Sequence, residues 1–167
     1  MKELFTNLNA LQKEIDEQFL PKADGNPAKK HQVIYEPIFK GTRSYIERIC
    51  HQANGAYENG WYDASAVMIR RLLETLIIEL FEAKNIAHKI QSGGNFFYLR
   101  DLISATVSET SWNLGRNTKS ALNKLKDIGD KSAHSRRFVA VRQDIDDVKS
   151  ELRTAVQELI ILADLKK

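Results

Sequence analysis

One cysteine, three prolines and no long apolar run set the first limits on this chain of 167 residues. Cys50 has no partner for an intrachain disulfide, which excludes the small secreted scaffolds that are held by cystines. The most apolar run, Leu72 to Phe81, is broken by Glu74 and Glu79 and falls short of the ~20 apolar residues that a membrane helix needs. The start of the sequence, Met1-Lys2-Glu3-Leu4 followed by polar residues, lacks the apolar core of a signal peptide. A cytoplasmic location without membrane association is therefore expected. A phosphate-cradling loop is also missing, because Ser92-Gly93-Gly94-Asn95 has neither the spacing nor the following Lys-Ser/Thr. The four histidines, His31, His51, His88 and His134, are scattered, with no His-Glu-x-x-His and no paired cysteines. No metal and no cofactor are expected.

What is present is helical periodicity. At 43% hydrophobic and 28% charged, the chain has ordinary globular material and enough length for one core. Leu4, Leu8, Leu11, Ile15 and Phe19 share one face of a first helix, and Lys22 to His31 reads as a loop. A second helix is predicted from Thr42 or Ser44, where Ser44 and Glu47 have capping-box spacing, with Tyr45 or Ile46, Ile49, Ala53 and Tyr57 facing inward. Asn59-Gly60 turns the chain, and Asp63 is placed to cap a third helix running to about Lys84. There Ala66, Ile69, Leu73, Leu76, Ile77 and Leu80 form a wide stripe, extended by Val67, Leu72 and Ile78, so this helix is central. Arg70 and Glu74 read as an ordinary i,i+4 pair on it.

A fourth helix follows the Gln91 to Asn95 break, with Phe97 or Tyr98, Leu102, Ile103 and Thr106 on its face. A fifth starts near Asn117 and leads to His134. A sixth carries Ile145, Val148, Leu152, Val156, Leu159 and Leu162 behind an Asp144 cap. The predicted fold is all-α, an antiparallel up-and-down bundle over residues 42–167, preceded by a helix and linker over 1–41.

Charge is unevenly distributed. Between Asn113 and Arg142 stand Arg116, Lys119, Lys124, Lys126, Lys131, Arg136, Arg137 and Arg142, against only Asp127 and Asp130. That is a local +6 in a chain of net +3, which leaves −3 for the rest. The footprint surrounds His134, a titratable group among cations. Cleaving RNA without a metal needs an acid or base and positive charge at the developing phosphorane, and His134 with a neighbouring Arg or Lys offers both. Equally, His134 closes a helix C-terminus, where an imidazole suits the dipole. Asp127, Asp130 and His134 at i, i+3 and i+7 allow a weak divalent site, or simply a solvated Asp130 to His134 pair. Ser132 and Ser135 lie too close to His134 in sequence to form a nucleophile pair with it, and no third group orients the base.

The run Tyr62-Asp63-Ala64-Ser65-Ala66-Val67-Met68-Ile69-Arg70-Arg71-Leu72-Leu73-Glu74, followed by Ile128-Gly129-Asp130-Lys131-Ser132-Ala133-His134, resembles the HEPN superfamily of helical domains. It is most similar to the branch related to abortive-infection C-terminal modules, and the likeness covers about Ile46 to Leu165. The resemblance implies a four- or five-helix bundle, usually a homodimer that brings two histidine motifs into one cleft. Catalytic members are metal-independent endoribonucleases of toxin, antiviral or RNA-processing systems. Their motif is Arg, a polar residue, three residues, then His. Position by position, His134 matches the histidine and Asp130 the polar residue, which makes these two the candidate catalytic residues. Gly129 stands where the arginine should be.

Two readings of function follow. In the first, the chain is a non-catalytic or atypical HEPN-like module that binds RNA or a nucleotide through Arg116, Lys126, Lys131, Arg136, Arg137 and Arg142. In the second it is an endoribonuclease using His134 in a dimer cleft, with a displaced cation such as Lys126, Lys131 or Arg136. A protein-interaction module without nucleic-acid binding is the further alternative.

Overall fold

A computed structural model describes residues 32–166; the expected first helix and the Lys22 to His31 loop lie outside the described residues. Seven helices are described: α1 (Glu36–Phe39), α2 (Ser44–Glu58), α3 (Tyr62–Ala83), α4 (Leu99–Ser108), α5 (Arg116–His134), α6 (Arg142–Asp146) and α7 (Lys149–Leu162). Between α3 and α4 lie a 3-10 turn (Ala87–Ile90) and a minimal hairpin of β1 (Gln91–Ser92) and β2 (Asn95–Phe96). The fold is all-α, as the periodicity predicts. No helix among the described residues is long and apolar enough to cross a membrane.

The central helix is α3, which packs against α2, α4, α5, α6 and α7. Its whole stripe, Ala66, Ile69, Leu73, Leu76, Ile77 and Leu80, is inaccessible to solvent, as is Leu72. Cross-helix contacts give the directions. Ser65 donates to the Ala53 carbonyl while Arg43 reaches Glu79, so α2 and α3 are antiparallel. Gly115 and Thr118 meet Glu158 while Lys124 meets Glu151, so α5 and α7 are antiparallel too. The core also takes in Val33, Ile34 and Phe39, upstream of Thr42. Buried Asn54 exchanges two hydrogen bonds with the Ile34 backbone, and Arg153 donates to the carbonyls of Gln32 and Val33.

Several local expectations are corrected. Ser44 is the first helical residue of α2, not its cap, and the Glu47 carboxylate accepts instead from the Gly41 N–H at 2.7 Å. Trp61, not Asp63, precedes α3, and Asp63 accepts from the Ala140 N–H at 3.0 Å, 77 residues away. Phe97 and Tyr98 lie before α4. The break after Ile90 is an ordered hairpin whose turn residues Gly93 and Gly94 both have positive φ, the geometry that matches strand twist. The expected sixth helix is broken into α6 and α7. At the break, Asp146 binds the Tyr57 hydroxyl and Lys149, which ties the end of α6 to α2. Asp144 sits at the third position of α6 and accepts from the Val141 N–H, stabilising the helix start from inside.

Candidate functional site

Helix α5 carries the candidate residues, so its two ends define the site. Its apolar side, Ala121, Leu122 and Leu125, is buried, with Thr118 and Gly129 extending the buried face towards either end. Arg116 and His134 begin and end the helix, about 27 Å apart at 1.5 Å per residue. The basic segment is therefore not one patch.

At the beginning of α5, the Glu158 carboxylate of α7 accepts from the Gly115 N–H at 2.6 Å and from the Thr118 hydroxyl. The positive end of the helix dipole, beside Arg116, thus has an anion supplied by the fold.

Near the other end, Gly129 is buried against α3. A Cβ built there would lie 2.6 Å from the Arg70 Cβ and 3.0 Å from the Ala66 carbonyl oxygen. The helices approach too closely for any side chain at this position, so glycine at 129 is a packing requirement. The arginine on this face comes from α3 instead. Arg70 Nε donates to Asp130 Oδ1 at 2.6 Å, and Arg70 Nη1 lies 3.5 Å from Glu74. Lys126 Nζ donates to Asp130 Oδ2 at 2.9 Å and to Asp127 at 2.7 Å. Partial burial pushes the Asp130 carboxyl up, but hydrogen bonds from Arg70 and Lys126 outweigh it and hold Asp130 below the ordinary aspartate range. Bonds to Asp127 and Asp130 hold Lys126 above the usual lysine range.

Asp130 therefore pairs with Arg70 and Lys126 rather than with His134. Lys126 is only 16% exposed and committed to two carboxylates. Lys124 is engaged by Glu151. Arg142, at the start of α6, lies over the Tyr57 ring, donates to its hydroxyl at 3.1 Å and comes within 3.5 Å of Asp146. Among the described residues, Lys131, Arg136 and Arg137 are the exposed cations at this end without an ion pair, and exposed His134 lies between them in sequence. The Ser135 hydroxyl accepts from the Phe138 N–H and shapes the turn that follows. No group of three or more His, Cys, Asp or Glu among the described residues could hold a metal ion.

Two participants escape a reading by pattern. Arg70 looks like an intrahelical partner of Glu74, and only the helix crossing reveals Asp130. Tyr57 looks like a plain core residue, yet its hydroxyl donates to Asp146 at 2.5 Å and accepts from Arg142 and from Lys149.

No curated protein and no solved structure matches the chain. One family model does, over residues 51–167, described as a domain of unknown function. This span includes α3, α5 and the entire Arg70, Asp130 and His134 neighbourhood, and on that match the chain belongs to the DUF4145 family.

Proposed function

We propose that this protein is a HEPN-like, non-catalytic or atypical module that binds RNA or an anionic nucleotide at the C-terminal end of α5. The observation that carries the reading is the set of exposed cations Lys131, Arg136 and Arg137 around His134, none with a carboxylate partner among the described residues. Phosphate binding supplies the neutralisation that the fold withholds there, and it makes affinity fall steeply with salt. Poor cleavage follows from the packing. Gly129 carries no charge, and the guanidinium of Arg70 is held by Asp130 and Glu74. Losing one transition-state electrostatic contact costs ~10² to 10³ in rate.

The second reading, a metal-independent endoribonuclease in a homodimer, is favoured by one observation. Arg70 places a cation against Asp130, one turn before His134, even though Gly129 cannot. The test is wild type against His134→Ala and Arg136→Ala/Arg137→Ala on labelled single-stranded RNA, with chelator, at two salt concentrations. Salt-sensitive binding that is weakened in the arginine variant, with little cleavage, is the expected result. Rapid cleavage abolished by His134→Ala establishes the nuclease. Absence of binding at low salt leaves an assembly role, and light scattering then distinguishes the ~19 kDa monomer from a dimer.

A further inference from the structure

The end of the bundle that holds the unpaired cations also exposes apolar side chains, which a purely electrostatic phosphate site does not require. Trp61, between α2 and α3, is 54% exposed; Val139 and Val141 are 73% and 55% exposed. They are neighbours through one hydrogen bond. The Ala140 N–H donates to Asp63, two residues after Trp61, while Val139 and Val141 flank Ala140. Ala140 is buried between two exposed valines, the alternation of an extended chain. Arg137 is three residues from Ala140 and Arg136 four, so their backbones lie within about 11 and 14 Å of that anchor. Two carboxylates stand at this segment and both are turned to its backbone, Asp63 to the Ala140 N–H at 3.0 Å and Asp144 to the Val141 N–H at 2.8 Å.

An indole and two valines beside unpaired arginines are complementary to a strand with both phosphates and unpaired bases. Phosphates alone need only the cations, and a duplex hides its base faces. We propose that the ligand of this site is a single-stranded polynucleotide, with a base stacked on Trp61 and backbone phosphates on Lys131, Arg136 and Arg137. This rests on the functional reading above and adds the strandedness of the ligand and the role of Trp61. Stacking of a base on an aromatic ring depends little on sequence, so the preference is for unpaired bases over paired ones, not for one base over another.

The experiment measures affinity of the full chain for a short labelled single-stranded RNA, the same strand annealed to its complement, and an abasic strand of equal length. Wild type is expected to prefer the single strand. Trp61→Ala should weaken single-strand binding by roughly 5- to 150-fold, the range for losing one base–aromatic stack, while abasic binding and the salt dependence stay unchanged. Trp61→Phe should restore most of the loss, and a wild-type melting curve for Trp61→Ala would show that the fold is intact. Val139→Ser/Val141→Ser is a second, milder probe of the same surface. Equal binding of all three ligands, unaffected by Trp61→Ala but weakened by Arg136→Ala/Arg137→Ala, overturns the stacking site and leaves the phosphate site standing. No binding of any strand overturns both. A dimer that dissociates in Trp61→Ala or Val139→Ser/Val141→Ser overturns the proposal by assigning the surface to self-association.

Discussion

The two ends of α5 receive opposite treatment. At its start the fold brings in Glu158, whose carboxylate accepts from Gly115 and Thr118 and so meets the positive end of the helix dipole, while exposed Arg116 makes no ion pair among the described residues. Near its other end the carboxylates present, Asp127 and Asp130, are taken by Lys126 and Arg70, and Lys131, Arg136 and Arg137 are left to solvent. Counting cations along the sequence treats the two ends alike. The difference between them lies in which acids the tertiary fold delivers: an anion already occupies the start, and the cluster of unpaired cations stands at the other end of a helix about 27 Å long.

The largest expected effect comes from filling the helix crossing. Gly129→Ala should destabilise by about 1–3 kcal/mol, because its methyl meets the Arg70 Cβ and the Ala66 carbonyl rather than a flexible tip. Gly129→Arg, which supplies the arginine expected from the resemblance to HEPN domains, should be worse still. Urea unfolding measures both, and wild-type stability in Gly129→Arg would show that the missing arginine is not a matter of packing.

Glu158→Ala should cost about 1 kcal/mol, the value of a helix cap, and should do so without altering binding at the far end. If RNA affinity changes along with stability, the two ends are coupled and the contrast between them fails.

A smaller effect, about 0.5–1 kcal/mol, is expected for Asp130→Asn at neutral pH. The folded carboxyl titrates below its unfolded value, so its ionised form stabilises above the unfolded value. That contribution disappears as pH falls through the folded one. The gap between variant and wild type should therefore close in acid, and a gap that persists there would indicate that Asp130 acts through packing instead.

Smallest in stability is Arg136→Ala/Arg137→Ala, expected within ±0.5 kcal/mol because the two side chains are exposed and have no ion pair among the described residues. Calorimetric melting should leave this variant with wild-type stability even as its nucleic-acid affinity falls. A clear loss of stability would mean that these arginines serve the fold.

Much of the architecture was legible because it depends on local periodicity. The stripe of α3 is buried as read, and Asn59-Gly60 turns the chain between α2 and α3. Polar residues were harder to place, since their partners are distant in sequence. Periodicity admits either Tyr45 or Ile46 on the inner face of α2; Ile46 is buried, while the Tyr45 hydroxyl goes to Glu79 on α3. Asp63 had the position of a cap and serves the Ala140 backbone instead. At the site, the sequence placed Asp130 and His134 in one helix but could not show that Arg70 crosses to Asp130. Nor could a glycine in a motif announce that its missing side chain makes room for another helix.

The cap on α5 has a consequence in time as well as in energy. Gly115 and Glu158 are 43 residues apart, and no side chain of the N-cap residue itself closes the helix. A helix start leaves backbone N–H groups without intrahelical partners, and here the carboxylate that meets this end arrives only when α7 docks. During synthesis from the N-terminus, the residues of α5 are complete before Glu158 has been added to the chain. The first turn of α5 is thus expected to close only once α7 has docked, and the unfolding and refolding rates of Glu158→Ala test it. If it does, strengthening that cap would slow the escape from the native state far more than it would hasten arrival there.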